Sequence, residues 1–288
     1  MNSPTMTDFL LIHRAPVFSP NAVDRDRAIL EAVGKLLEDA GASVCFTEEE
    51  ELTPDTAAGI YVTMSRLQPS LDILKDLERK GKTVVNSAFG IERCARRTID
   101  NLLRTNSIPA APPYTDRAPD NNGHGDHTAH EFWLKRADMQ SQTRGDVMHV
   151  DKASDIAPAL RTFHDRDIKD VLITEHVAGD IVKFYGVYGT GLFRIFYPTD
   201  DGLTKFGDER FNGEAHHYAF SLNALHSDAE RVSRLTDVKV YGGDCIVRSD
   251  GSYAIIDFND WPSYSRCRDE AAHAITSLLL NAHNSTPT

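Results

Sequence analysis

The stretch "YGGDCIVRSDGSYAIIDFNDWPSYSRC", residues 241–267, contains two runs of β-forming residues that carboxylates interrupt. Between the runs, "SDGS" predicts a two-residue β-hairpin turn centred on Asp250 and Gly251. The register that follows from this turn pairs Ser249 with Ser252, Ile246 with Ile255, and Asp244 with Asp257. Like charges directly across an antiparallel pair repel each other, so we expect a cation between the two aspartates.

The same hairpin predicts a metal site. Asn259 shares a face with Asp244 and Asp257, because side chains alternate along a strand. Two carboxylates and an amide oxygen are hard ligands, suited to Mg²⁺ or Mn²⁺ held together with substrate phosphates. Gly242 and Gly243 would leave room for those phosphates. The alternative is a surface hairpin whose aspartates simply face water.

Residues 1–90 alternate strand-like and helical patterns. Runs such as "DFLLIH" and "GIYVTMS" are typical of buried strands, whereas "DRDRAILEAVGKLLEDAG" is an amphipathic helix that a glycine ends. This alternation predicts an open, mostly parallel sheet with helices on its faces. Ligands bind such sheets at the carboxyl ends of the strands, where the sequence places His13, Arg14, Ser65, Arg66 and Asn86. The alternative for Arg14 and Arg66 is a pair of solvated loop charges.

Beyond residue 90, strand-like runs follow one another directly. "DIVKFYGVYGTGLFRIFYP" reads as two antiparallel strands joined at "YGTG", which predicts an α+β organisation. A polar stretch over residues 115–130, rich in turn formers, is expected to form a surface loop. We divide the chain into an N-terminal α/β domain, residues 1–90, a central α+β subdomain, residues 91–178, and a C-terminal α+β subdomain with the metal site, residues 179–288.

Composition excludes several classes of partner. The chain has 288 residues and a formal net charge of −12, which opposes binding to the phosphates of nucleic acids or to anionic lipid. No apolar stretch approaches the roughly 18 residues of a membrane span, and "FLLI" is too short for a secretory signal. Four scattered cysteines indicate free thiols. We expect a cytoplasmic protein with no nucleic-acid or membrane partner, and a homodimer is one assembly it could form.

An acidic residue on one strand, followed on its partner by "D-x-N", resembles the metal-binding end of the ATP-grasp superfamily. Other motifs resemble that superfamily in the same order, from the N-terminal unit to the final helix. The resemblance implies the ATP-grasp fold, an N-terminal open parallel α/β unit followed by two α+β subdomains that clasp ATP. It also implies ATP and Mg²⁺ (or Mn²⁺) as cofactors and a small-molecule acceptor as the second substrate.

The resemblance also implies phosphate-binding residues. Arg97, ahead of "TIDNLLRTNSIPAAP", stands where the superfamily usually has a lysine, and Lys135 in "FWLKRAD" matches a second lysine. The loop that covers the phosphates is normally rich in glycine. Here it resembles "ADMQSQTRGDV", in which Gln142, Thr143 and Arg144 would make the contacts instead.

The segment "VLITEHVAGD" resembles the linker strand of the superfamily. This implies that Glu175 is the hinge acid, that His176 and Val177 contact adenine through their backbones, and that Asp180 is a weaker candidate for ribose. Lys183 resembles the basic residue that many members place next to the transferring phosphate.

Several basic residues could surround the acceptor, because guanidinium groups bind carboxylates and phosphates alike. They are Arg14, Arg66, Arg194, Lys205, Arg210, Arg266 and Arg268. Of these, we assign Arg194 to catalysis together with Lys183. The residues assigned to the acceptor substrate are Arg14, Arg66, Lys205, Arg210, Ser263 and Arg266.

Two reactions remain open. Most of the superfamily forms an acyl phosphate from a carboxylate, which an amine then attacks, and this ADP-forming ligase reaction is our first expectation. However, "NDWPSYSRC" departs from the "N-x-x-PG" of peptide-type ligases and resembles the "N-x-F-P-x-Y" of inositol trisphosphate 5/6-kinases. A kinase acting on a hydroxyl of a polyol or sugar phosphate is the alternative. A non-catalytic nucleotide sensor is disfavoured, because all three candidate metal ligands are present.

Overall fold

The computed structural model describes residues 7–19, 22–115, 131–139, 141–201 and 211–285. Within these ranges the chain forms three β-sheets and eight α-helices. No helix in the described ranges is both long and apolar enough to cross a membrane.

The first sheet is parallel, as predicted, with strand order β2-β1-β3-β4. Its strands are β1 (Thr7–His13), β2 (Val44–Glu48), β3 (Ala58–Thr63) and β4 (Thr83–Val85), and its helices are α1 (Val23–Asp39) and α2 (Gln68–Arg79). Phe9 and Leu11 of β1 pack in one core with α1, whereas Leu10 and Ile12 pack with α2. Because helices cover both faces, the run of β1 over residues 9–12 is apolar without alternation.

Two short helices lead from the first sheet to the second. They are α3 (Ala88–Arg93) and α4 (Arg96–Thr105). The second sheet is antiparallel with order β6-β5-β7 and contains β5 (Phe132–Arg136), β6 (Val147–Val150) and β7 (Val171–Glu175). Helix α5 (Ile156–His164) covers one face, where Phe163 packs against Phe132 and Leu134.

The third sheet is antiparallel and carries the predicted hairpin. Its strands, in the order β11-β10-β8-β9, are β8 (Asp180–Val187), β9 (Leu192–Phe196), β10 (Val240–Val247) and β11 (Tyr253–Asp260). Helices α6 (Pro198–Asp201) and α7 (Leu222–Thr236) lie between β9 and β10 in the chain. Leu225 and Val232 of α7 share a core with Ile99 and Leu103 of α4 and with this sheet.

The last helix, α8 (Arg268–Ser285), returns to the first sheet. Its Ile275 and Leu279 lie in the same core as Leu30 and Val33 of α1. The three sheets fall within residues 1–90, 91–178 and 179–288, but α8 packs across that division. The domain boundaries themselves stay a prediction.

The β10–β11 turn is longer than the predicted one. Arg248 N–H donates to Ser252 O (2.8 Å) and Gly251 adopts φ +82°, which is a three-residue loop with glycine in the left-handed region. Ile246 consequently pairs with Ala254 and not with Ile255, and Ser249 does not pair with Ser252.

A β-bulge then restores the predicted register. The pairing shifts between Asp244 and Cys245, so that Ile256 on β11 has no partner on β10. Asp244 therefore lies directly opposite Asp257, and Gly242 opposite Asn259. The prediction for the two aspartates is confirmed, although the turn from which it was made is wrong.

Candidate functional site

A cavity of about 340 Å³ lies where the three sheets meet. This size is within the usual range for small-molecule sites. Its basic lining residues among the described ones are Arg14, Arg25, Arg66, Arg96, Lys135, Lys183 and Arg266, and its acidic ones are Asp26, Glu175, Asp244, Asp257 and Asp260. Cations thus outnumber acids inside a protein whose net charge is −12, which favours an anionic ligand there.

The centre of the cavity holds the two opposed aspartates, each next to a cation of the chain itself. Lys183 of β8 pairs across the strands with Asp244, and its Nζ lies 3.0 Å from Asp244 Oδ1. Arg96 Nη2 lies 3.3 Å from Asp257 Oδ2. The cation expected between like charges is therefore supplied in part by Lys183 and Arg96.

The pKa of Asp257 is lowered although its side chain is largely buried. Burial alone would raise the pKa of its carboxyl, but Arg96, Lys135 and Lys183 outweigh that effect and hold the pKa below its usual value. The pKa of Lys135 is lowered, because the effect of burial exceeds the opposing effect of Asp257 and Asp244. Lys135 Nζ donates to the carbonyl of Ile256, 3.3 Å away, which is the bulge residue.

The residues present fit a Mg²⁺ ion. Asp244, Asp257 and Asn259 all line the cavity and offer only hard oxygen ligands. The two glycines also line the cavity, and that they leave room for phosphates stays a prediction. A Cβ on Gly243 would lie 2.3 Å from Asp257 O and 2.4 Å from Phe184 Cζ, and one on Gly242 would lie 2.9 Å from Pro262 Cγ. Both glycines are required by the packing of the protein itself.

One end of the cavity is apolar. Ala111, Val177, Ile181 and Ile246 form a small buried cluster between the second and third sheets, and Ile256 packs against it. The same end includes Trp133, Val147 and Thr174, with Glu175 at the rim where β7 ends. An apolar slot with one carboxylate among its lining residues suits the base of a nucleoside.

His176 is not among the residues that line the cavity. Its backbone N–H already donates to Glu131 O (2.9 Å), and its Nδ1 accepts a hydrogen bond from Trp133 Nε1 (3.0 Å). Val177, by contrast, lines the cavity. Of the two predicted backbone contacts to adenine, the structure therefore places only Val177 at the cavity.

Asp180 is also engaged elsewhere. Its carboxylate, buried at the start of β8, accepts the backbone N–H groups of His216 (2.7 Å) and Tyr218 (2.9 Å). Burial alone would raise its pKa, but these hydrogen bonds bring the pKa below its usual value. Asp180 thus fastens the segment after residue 211, and the structure does not place it in the cavity as a ribose ligand.

Four predicted arginines in the described ranges, Arg97, Arg144, Arg194 and Arg268, do not line the cavity. Arg97 binds Asp170 through Nη2 (2.7 Å), Arg144 is exposed in a 3₁₀ turn, and Arg194 on β9 forms an ion pair with Glu270. Arg96, next to Arg97, lines the cavity in its place and also donates to Ser141 Oγ (3.0 Å). Because successive helical residues point about 100° apart, only one of the two can face the site.

The other end of the cavity is built around Asp260. Arg66 Nη2 lies 2.5 Å from Asp260 Oδ1, and Arg14 Nη2 lies 3.5 Å from Oδ2. Arg14 also binds Asp26 (3.2 Å) and the carbonyl of Trp261 (3.2 Å). Two guanidinium groups from the loops that follow β1 and β3 are thereby held at the end of β11, and neither is a solvated charge.

Sequence reasoning missed Asp260, although it follows directly on the "D-x-N" motif. It also missed Glu49, whose buried carboxylate accepts the backbone N–H groups of Ala15 (2.5 Å), Arg66 (2.7 Å) and Leu67 (2.7 Å). Glu49 thereby fixes the loops that carry Arg14 and Arg66. Nothing in "TEEEEL" distinguishes this glutamate from its neighbours.

The remaining predicted substrate residues divide into two groups. Ser263 and Arg266 line the cavity near Asp260, and the guanidinium of Arg266 lies 5.6 Å from the ring centre of Phe196. Lys205 and Arg210 lie outside the described residues.

No protein-family model matches the sequence, and no curated protein matches it. Solved structures match almost the whole chain. D-alanyl-alanine synthetase A from Vibrio cholerae is 15% identical, with a TM-score of 0.67 over 98% of this chain and 100% of that one.

Two further solved structures match with similar sequence identity, TM-score and coverage. The D-alanine–D-alanine ligase from Bacillus anthracis, complexed with ATP, is 12% identical, with a TM-score of 0.65 over 96% of this chain and 99% of that one. The ATP-grasp ligase PsnB, complexed with a minimal precursor, Mg and ADP, is 12% identical, with a TM-score of 0.63 over 96% and 98%. The chain therefore has the ATP-grasp fold.

Proposed function

We propose that this protein is an ATP- and Mg²⁺-dependent ligase that converts a small-molecule carboxylate into an acyl phosphate, which an amine then attacks. One observation carries the proposal. Asp244, Asp257 and Asn259 lie beside Lys135, Lys183 and Arg96 between an apolar slot and an arginine-lined end of the same cavity. Its support is the ATP-grasp fold shared with solved ligases, one complexed with ATP and another with Mg and ADP.

The nucleotide would occupy the apolar end and the centre. Adenine fits the slot formed by Val177, Ile181 and Ile246, with Glu175 at its rim. The triphosphate would replace the internal partners of Lys183 and Arg96. Asp244, Asp257 and Asn259 would hold Mg²⁺, which when bound neutralises charge on the phosphates.

The chemistry needs no covalent intermediate on the protein. An acceptor carboxylate oxygen attacks the γ-phosphorus, the bond from this phosphorus to the β,γ-bridging oxygen breaks, and ADP leaves. The amine then attacks the acyl carbon and releases one proton to solvent, and phosphate leaves with the former carboxylate oxygen. Burial raises the pKa of Cys245 and raises that of Cys267 to about 11, so neither thiol near the site is a nucleophile at neutral pH.

The acceptor would bind at the arginine-lined end. Arg14 and Arg66 are held by Asp260, and Arg266 and Ser263 lie on the same side of the metal-site candidates. Fixed guanidinium groups bind carboxylates bidentately and hold the attacking oxygen in one orientation. An anionic acceptor is therefore the class of substrate that this end suits best.

The test follows products by mass in reactions with ATP, Mg²⁺ and pools of small carboxylates and amines. The ligase predicts ADP and phosphate release that requires both a carboxylate and an amine, with a condensed product. A product heavier by one phosphoryl group and no free phosphate would replace the ligase by the kinase alternative. Nucleotide binding without any turnover in every pool would support the sensor instead.

The metal assignment is tested by Asp257→Asn. We expect ADP formation to fall by at least about a hundredfold, because one charged oxygen ligand and its electrostatic contribution are lost. Asp250→Asn is the matched control, since Asp250 lies in the exposed turn of the same hairpin and should retain full activity. Unchanged ADP formation in a folded Asp257→Asn variant would remove the metal assignment.

A further inference from the structure

A second group of metal-ligating side chains lies on the β6-β5-β7 sheet, beyond the lining of the cavity. Trp133 of β5 is paired with His149 of β6 and with Thr174 of β7. Directly paired residues share a face, and so do residues two positions apart. Glu131 and His176 therefore project from the same face as His149, and the backbone hydrogen bond from His176 N to Glu131 O (2.9 Å) extends the pairing to them.

The three side chains converge to metal-binding distance. One ligand atom each from Glu131, His149 and His176 lies within 4.8 Å of the other two. Glu131 Oε2 and His149 Nε2 are 2.8 Å apart, so a proton now bridges the atoms that would share an ion. Around a tetrahedral Zn²⁺, ligand atoms lie about 2 Å from the metal and hence roughly 3.5 Å from each other. The Glu131 side chain is 45% exposed and free to make this small adjustment.

The surroundings of His149 support this role. Its second ring nitrogen, Nδ1, lies 3.5 Å from Asp151 Oδ1. A carboxylate on the remote nitrogen is the usual partner of a metal-bound imidazole, because it fixes the ring and directs the other nitrogen toward the ion. Phe211 stacks on the same ring with centroids 4.4 Å apart and shields one side of the group from water.

We propose that Glu131, His149 and His176 bind one transition-metal ion, of the Zn²⁺ or Co²⁺ class, beside the nucleotide end of the cavity. Two imidazoles and one carboxylate favour these ions over Mg²⁺, which selects oxygen ligands. The site is thus chemically distinct from the one at Asp244, Asp257 and Asn259. It does not depend on the proposed ligase reaction.

Metal binding at this site is coupled to Trp133. The indole Nε1 donates to His176 Nδ1, which requires the imidazole proton to be on Nε2. An ion on either nitrogen of His176 breaks this arrangement, because ligation through Nδ1 displaces the indole and ligation through Nε2 moves the proton to Nδ1. Trp133 lines the nucleotide end of the cavity, so the ion and the nucleotide would influence each other through this side chain.

The experiment titrates metal-free full-length protein with Co²⁺, without nucleotide, and follows visible absorption and tryptophan emission. We expect one Co²⁺ per chain, displaced by Zn²⁺, with a change in emission. Glu131→Gln, His149→Gln and His176→Gln should each weaken Co²⁺ binding by at least about tenfold. Trp133→Phe should keep the absorption change and lose most of the emission change.

Two controls separate this site from others. His226→Gln removes an imidazole that faces a single carboxylate, Glu230, 3.6 Å away, and should leave Co²⁺ affinity unchanged. Asp257→Asn should also retain the absorption change. Absence of stoichiometric Co²⁺ binding, or binding that survives the conservative Glu131→Gln substitution and both histidine substitutions, would overturn the proposal.

Discussion

Arg96 and Arg97 are adjacent in the sequence and have different surroundings. The Arg96 side chain is 7% exposed and reaches Asp257 and Ser141, whereas that of Arg97 is 41% exposed and binds Asp170. A guanidinium that is buried next to the candidate metal ligands can contact a triphosphate. One that is half exposed on the far side of the helix cannot.

We predict that Arg96→Ala weakens binding of Mg²⁺ and a non-hydrolysable ATP analogue by at least about tenfold, equal to 1.4 kcal/mol. The reason is the loss of a charged donor that faces the phosphates in a partly desolvated cavity. Arg97→Ala is the matched control and should change the affinity less than about twofold. Calorimetric titration of both variants measures this, and equal affinities would contradict the assignment.

The sequence could identify the metal-ligand candidates but not this arginine. Asp244, Asp257 and Asn259 stand out because polar side chains within strands conflict with strand packing, and that conflict is visible in the residues themselves. The choice between Arg96 and Arg97 depends on the direction in which α4 leaves Ala95, and no local residue encodes that direction. Asp260 was likewise missed because its role depends on arginines 194 and 246 residues earlier in the chain.

At the scale of elements, the β10–β11 hairpin combines two irregularities. The three-residue loop advances the pairing by one residue relative to a two-residue turn, and the bulge at Ile256 reverses the change. Without the bulge, all side chains of β11 beyond Ile255 would exchange faces. Strand propensity predicted both strands, but neither irregularity has a signal strong enough to be recognised in "SDGSYAIID".

Gly251 is the residue that the three-residue loop requires. Its φ of +82° is unfavourable for any residue with a Cβ, and that Cβ would lie 2.8 Å from Ala219 O. Gly41, after α1, has a similar φ of +89° but nothing within 4 Å of an added Cβ. A comparison of alanine substitutions at the two positions therefore separates the cost of backbone strain from the cost of steric contact.

We predict that Gly41→Ala lowers the free energy of unfolding by about 1 kcal/mol, the cost of the left-handed conformation alone. Gly251→Ala should cost clearly more, because the strain adds to a contact with rigid backbone. Urea unfolding of the two variants and the wild-type protein measures the difference. Equal losses would mean that the loop shifts to relieve the contact.

At the scale of the whole molecule, the sequence predicted the kinds of sheet and their order along the chain, but not the polar contacts that join the sheets. The change from alternating strands and helices to neighbouring strands correctly separated the parallel sheet from the antiparallel ones, and the ATP-grasp fold is confirmed. The polar groups that join the sheets could not be predicted, because their partners are distant in the chain. Glu49 and Asn86 are the clearest cases, since each satisfies several backbone groups of other segments.

Asn86 joins the first sheet to the sheet that carries the metal-site candidates. It is completely buried at the end of β4, where Nδ2 donates to Val240 O (2.7 Å) and Oδ1 accepts the N–H groups of Lys239 and Val240 (both 2.8 Å). Val240 begins β10, four residues before Asp244. The amide thus holds the end of one sheet against the start of the strand that positions the site.

We predict that Asn86→Ala lowers the free energy of unfolding by about 3 kcal/mol, because three backbone groups lose their partners away from water. Asn101→Ala, on the exposed side of α4, should stay within about 0.5 kcal/mol of the wild-type protein.

Asn86→Asp provides the sharper test. An ionised carboxylate still accepts both N–H groups but repels Val240 O, whereas a protonated one can donate to it. The folded state of this variant should therefore raise the pKa of the new carboxyl above its unfolded value of about 3.9. Its stability relative to wild type should be highest below about pH 4 and decline as pH rises through the folded-state pKa. Urea midpoints measured across this range test this, and a difference that stays constant with pH would contradict the raised pKa of the buried carboxyl.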